Sequence, residues 1–130
     1  MRITRKINYV NKQYSMEGVT LSDVSKQTYL GVGLTSDLSW SPHIQKVTGK
    51  ANRNLHFIKR NLYKASTEMK SAAYTTLIRP TLEYAQTVWD PYEIGNIKKI
   101  YLCTEDSGAF CGGRLPARFE RYQHILQGCK

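Results

Sequence analysis

The sequence predicts an α+β fold: short strands and a hairpin over residues 1–36, a helical bundle over 37–100 and an irregular tail over 101–130. Three observations predict it. Turn and alternation signals fill the stretch up to Leu34. One clean apolar helical stripe runs from Ile44 to Leu62. Composition then shifts after Ile100, where all three cysteines and four of the nine glycines gather.

In the first region, Arg2-Ile3-Thr4-Arg5-Lys6 reads as a short basic strand. Gln13 to Leu21 carries Glu17-Gly18, a hairpin turn signal. Thr28 to Leu34 alternates as one strand, with Leu30, Val32 and Leu34 on one face and Tyr29, Gly31 and Gly33 on the other. Glycine inside a strand weakens it. It marks a bulge, an edge strand, or a close approach by another backbone or a ligand.

Ser41-Pro42 opens a helix, with serine suited to the N-cap and proline to the first helical position. Ile44, Val47, Ala51, Leu55, Ile58 and Leu62 then recur at spacings of 3, 4, 4, 3 and 4. On the opposite side Lys46, Lys50, Arg53, Arg60 and Lys64 fall within an arc of roughly 80°, with Lys59 off it. Ser41 to Ala65 contains no acidic residue. A phosphate-facing ridge and a plain solvated face both fit these cations. The absence of interleaved acids favours the ridge, because a solvated face usually mixes signs.

Ser66 caps a second helix, with Glu68 in its first turn matching the helix dipole. Met69, Ala72, Ala73, Leu77 and Ile78 supply its apolar face. Pro80 kinks or ends it, since proline removes a backbone donor and crowds the preceding turn. Leu82 to Trp89 is expected to continue helically, with Tyr84, Val88 and Trp89 reading as core rather than as a stacking platform. Asp90-Pro91 marks a turn, and Ile94 to Ile100 starts a further helix.

Length and charge bound the partners. A chain of 130 residues is one domain or a piece of a larger one. Lys plus Arg total 19 against 10 Asp plus Glu, for a net charge of +9. That excess favours a polyanion, with nucleic acid ahead of an anionic membrane surface; a merely basic soluble domain is the plain alternative. No apolar run approaches the roughly 18 residues of a membrane helix, and no signal segment opens the chain. The odd number of cysteines, Cys103, Cys111 and Cys129, argues against a secreted disulfide framework. With His124 they fit no closed pattern of zinc-ligand spacing.

Six blocks between Tyr29 and Tyr92 carry a resemblance: Tyr29-Leu30-Gly31-Val32, Trp40-Ser41-Pro42-His43-Ile44, Ala51-Asn52-Arg53, Leu77-Ile78-Arg79-Pro80, Leu82-Glu83-Tyr84-Ala85 and Trp89-Asp90-Pro91-Tyr92. In order and spacing they resemble the reverse transcriptase of non-LTR (LINE-like, jockey-type) retrotransposons, over about the first 100 residues. The resemblance implies that Tyr-Leu-Gly-Val belongs to the primer-grip strand at the end of the palm, and that the helical thumb follows. Tyr29, Leu30 and Gly31 would then lie near the primer terminus, where glycine lets the backbone approach a sugar-phosphate. Lys46, Lys50 and Arg53 fall in the matching thumb helix. Their phosphate role comes from the charged ridge and is not a family assignment. The implied partner is the backbone of an RNA or DNA template-primer, with no membrane, and the implied setting is intracellular, in cytoplasm or nucleus.

Enzymes of that family use magnesium, held by palm carboxylates that include an Asp-Asp pair after Tyr-Ala. Here no Asp-Asp pair occurs, and Asp23, Asp37, Asp90 and Asp106 are scattered. The expectation is a fragment that starts after the catalytic centre, lacks the fingers and most of the palm, holds no cofactor and does not polymerise DNA.

The resemblance stops after Ile97-Lys98-Lys99-Ile100. The family continues as Val-Gln-Arg-Arg-Ala-Ala-Arg-Phe, then Asp-Tyr-Arg-Arg and Ser-Ser-Val-Thr-Asn. Thr104 to Ala109 can be encoded as ACA-GAG-GAC-AGC-GGC-GCG, which one nucleotide later reads Gln-Arg-Thr-Ala-Ala-Arg. The same shift allows Asp-Tyr-Arg-Arg from Arg114 to Ala117 and Ser-Ser-Val-Thr-Asn from Phe119 to Gln123. This run predicts a one-nucleotide frameshift near Tyr101 to Cys103 and a poorly ordered tail, with a short helix around Arg118 to Leu126. Two alternatives stand beside the decayed fragment: a small nucleic-acid-binding protein recruited from it, and an inert product with exposed apolar faces.

Overall fold

The computed structural model describes residues 1–3, 12–111, 122 and 124–127. It divides into two units, Met1–His43 and Ile44–Lys130. As predicted, the fold is α+β, with antiparallel hairpins followed by helices. Most of the basic strand expected at Arg2 to Lys6 lies outside the described residues.

The first unit holds two hairpins. Strands β1 (Ser15–Met16) and β2 (Val19–Thr20) pair antiparallel. They are joined through Glu17 and Gly18 at φ 50° and 79°. Two successive positive φ values give the turn whose twist matches that of paired strands, so the Glu17-Gly18 signal is realised. The alternation from Thr28 to Leu34 is realised differently. It is not one strand: it reverses at Leu30 and Gly31, both at positive φ (46° and 81°). Strand β3 (Lys26–Tyr29) thereby pairs with β4 (Val32–Thr35), Tyr29 facing Val32. Glycine tolerates φ above zero at no steric cost, so the signal read as a strand irregularity was a turn signal.

The β3–β4 hairpin is tied down on one edge. Thr28 and Gly33 face each other next to the turn pair, in a register that leaves the Gly33 N–H pointing outward. That N–H donates to His43 Nδ1 at 3.1 Å, answering the backbone's need for a partner. An added Cβ at Gly33 would meet this histidine at an ordinary 3.6 Å. Thr35 donates its hydroxyl to the Ser39 carbonyl at 2.9 Å, and Asp37 accepts from the Ser39 N–H at 3.2 Å.

The second unit is helical. Helix α1 (Ser41–Asn61) follows its predicted stripe: Ile44, Ala51, Leu55 and Ile58 are buried, and Val47 and Leu62 are partly so. Helix α2 (Thr67–Ala73) starts at the predicted cap, Ser66 accepting from the Met69 N–H at 3.4 Å. A π-helical turn, Tyr74–Ile78, leads into α3 (Arg79–Glu83) with Pro80 in its first turn. Within an α-helix the Pro80 ring would press on the carbonyl four residues back; widening the preceding turn relieves that crowding. The expected kink is thus a π turn.

The continuous helix expected from Leu82 to Trp89 is broken. Tyr84 leaves helical geometry at ψ 122°, Ala85 is left-handed at φ 51°, and a short α4 (Gln86–Trp89) follows. The break lets the fully buried Trp89 donate Nε1–H to the Tyr84 carbonyl at 2.8 Å, meeting the indole's need for an acceptor. Of the three residues read as core, only Trp89 is buried; Tyr84 and Val88 are exposed.

Helix α5 (Ile94–Cys111) runs eleven residues past Ile100, so the near part of the expected irregular tail is helical. Its buried face includes Ile97, Ile100, Cys103, Thr104, Ser107 and Cys111. Thr104 and Ser107 turn their hydroxyls onto the Ile100 and Cys103 carbonyls of the same helix, at 3.0 and 2.6 Å. Self-satisfied hydroxyls can be buried at little cost. Residues 124–127 are also helical, overlapping the end of the range read as a short tail helix, while 112–121 lie outside the described residues.

Candidate nucleic-acid interface

Helix α1 presents two opposite faces, and the packed one fixes the free one. Along the packed side, the Asn54 amide donates to the Leu77 carbonyl at 3.0 Å. Cys103 Sγ lies 3.1 Å from Asn52 Oδ1 and faces the Thr48 carbonyl at 4.0 Å. Burial, with the Asp106 carboxylate adding, pushes the Cys103 thiol up to about 11. Burial likewise raises Cys111, against the opposing pull of Lys70 and Lys59, and raises Tyr74. These thiols are protonated packing groups, not nucleophiles.

On the free side, Lys46, Lys50, Arg53 and Arg60 are all exposed along the helix. Lys64 is exposed too, but it lies past the helix end, in the turn that follows Asn61. None of the five joins an ion pair among the described residues. Lys46 to Arg60 spans about 21 Å of helix, the length of roughly six phosphates along one duplex strand. Lys59, placed off the ridge by the sequence, lies over the Phe110 ring at 5.8 Å, where Lys70 also sits at 5.1 Å.

The sequence reading passed over one member of this face. Lys46, Lys50, Arg53, Phe57 and Arg60 form a single series on α1 with spacings of 4, 3, 4 and 3, which Lys64 continues in sequence past the helix end. Phe57 fills the beat between Arg53 and Arg60, and its side is 54% exposed. Counting charges alone hides it; counting the helical period of the polar face finds it.

In the first unit Tyr29, Leu30 and Gly31 form the end of the β3–β4 hairpin. Tyr29 is 66% and Leu30 74% exposed. A leucine at positive φ is costly, and here it presents an apolar side chain at a turn. Among the described residues no three His, Cys, Asp or Glu side chains converge as a metal site. No described helix is long and apolar enough to cross a membrane.

No protein-family model matches the chain, and no solved structure matches it. The chain is 25% identical over 99 residues to a probable RNA-directed DNA polymerase from transposon BS of Drosophila melanogaster. The match covers 74% of this chain and spans only 11% of that protein's length. This similarity supports an origin related to the reverse transcriptases of transposons.

Proposed function

We propose that the chain is the end of the palm and the helical thumb of a non-LTR retrotransposon reverse transcriptase, and that it binds the backbone of a template-primer without regard to sequence. The observation that carries this reading is the acid-free row of exposed cations on α1. Each cation that neutralises a phosphate releases condensed counterions, so affinity comes from the backbone and falls with salt. Tyr29, Leu30 and Gly31 serve as the primer grip, offering a turn whose glycine backbone can approach a sugar-phosphate. Removing Arg53 as Arg53→Ala weakens binding evenly across sequences and lowers the salt slope by about one. An unchanged slope contradicts the ridge at that position.

The same reading assigns no polymerisation to these residues, because the sequence holds no Asp-Asp pair to carry two catalytic metals. Primer extension above background by the pure protein contradicts it.

One observation favours the second reading, a small nucleic-acid-binding protein recruited from such a fragment. Residues past Ile100 are not idle: α5 buries Cys103 to Cys111 positions, and Tyr122 is 3% exposed. Gln86 donates to the Tyr122 hydroxyl at 3.1 Å, and that hydroxyl is hydrogen-bonded to Asp90. Strong binding to one defined sequence separates this reading from the first.

A further inference from the structure

We propose that Phe57 is a stacking platform for an unpaired base, so that the α1 ridge takes single-stranded RNA or DNA in preference to a closed duplex. The proposal rests on the reading of the ridge as a nucleic-acid surface and names the strand form it selects.

The ring stands in the middle of the ridge, four residues after Arg53 and three before Arg60. It is not needed for packing: Ile44, Ala51, Leu55 and Ile58 fill the opposite face and are at most 3% exposed, against 54% for Phe57. Nor is the ring occupied by a cation among the described residues, whereas Phe110 has Lys59 and Lys70 over it. Its backbone is held, since Asn61 donates its amide to the Phe57 carbonyl at 2.8 Å in the last turn.

The chemistry of the row selects the ligand. Arg53 and Arg60 are about 10 Å apart along the axis, which leaves room for one nucleotide between two held phosphates. A closed duplex shows a straight helix only phosphates, sugars and base edges, because its base faces are stacked on one another. An unpaired base has a free π-face, and an aromatic ring set among cations along a backbone is how sequence-tolerant single-strand binders capture it. Charge complementarity along the whole row argues for this occupant over an apolar protein surface, which would have to desolvate the flanking cations.

The test uses the full chain with a labelled single-stranded oligonucleotide of about 20 nucleotides and the blunt duplex of the same sequence, at about 50 mM salt. Phe57→Leu keeps a strong helix former at the site, and circular dichroism checks that the fold is retained. The expected result is a loss of about tenfold or more on the single strand with duplex affinity unchanged, and Phe57→Trp retaining wild-type single-strand affinity. Equal losses on both forms, or none on either, overturn the stacking role while the ridge stands on its salt dependence. Failure of the wild-type chain to bind either form overturns ridge and stacking together.

Discussion

The Asn54 side chain crosses from α1 to donate its amide to the Leu77 carbonyl at 3.0 Å, inside the π turn that precedes Pro80. The same carbonyl accepts the Thr81 hydroxyl at 3.1 Å. One oxygen thus joins the helix that carries the cations to the widened turn that proline requires. Asn54→Ala removes this tie and is expected to cost about 1 kcal/mol. Urea unfolding reads it as a lower midpoint at unchanged slope. Because Asn54 belongs to none of the ridge positions, duplex affinity of the folded variant stays at the wild-type level.

Tyr122 is buried beside Gln86, whose Nε2 donates to it, while Gln86 Oε1 has no hydrogen-bond partner among the described residues. Tyr122→Phe leaves the amide nitrogen without its acceptor as well. The expected loss is about 1–3 kcal/mol, seen as a fall in thermal midpoint of several degrees. An unchanged midpoint means that residue 122 does not contribute to the packed unit.

Cys103 gives a pH signature. Its thiol is pushed to about 11 from an ordinary 9.0, mainly by burial and then by Asp106. Below pH 9 both folded and unfolded states keep the proton, and the contribution to stability is full. Between about 9 and 11 the unfolded chain releases the proton and the folded one does not, so stability falls as pH rises. In urea unfolding, the drop across this window is smaller in Cys103→Ala than in the wild type. An identical drop in both contradicts the burial of this thiol.

Much of the fold was legible because its signals are local and periodic. The stripe from Ile44 to Leu62 announces α1, and Ser66 announces its cap. Three features were not legible, each for a physical reason. Leu30-Gly31 carries a turn inside an alternating pattern, because one glycine and one strained leucine suffice for a hairpin reversal. Ala85 breaks a helix without any breaker residue, in a setting where Trp89 gains a carbonyl acceptor. Helix α5 beyond Ile100 buries threonine, serine and glycine, so its inner face has little hydropathic contrast with its outer one. In the candidate site the cations were legible from charge, and Phe57 was not, because it looks like one more apolar residue until its position on the helix is counted.

The central claim is that the α1 row binds a polynucleotide backbone, and the most direct test is wild-type affinity for a blunt duplex as a function of salt. If the four cations on α1 and Lys64 just past its end each neutralise a phosphate, log affinity falls linearly with log salt concentration with a slope of about −4.5. A slope near zero, or no binding to either the duplex or the single strand at about 50 mM salt, contradicts the account.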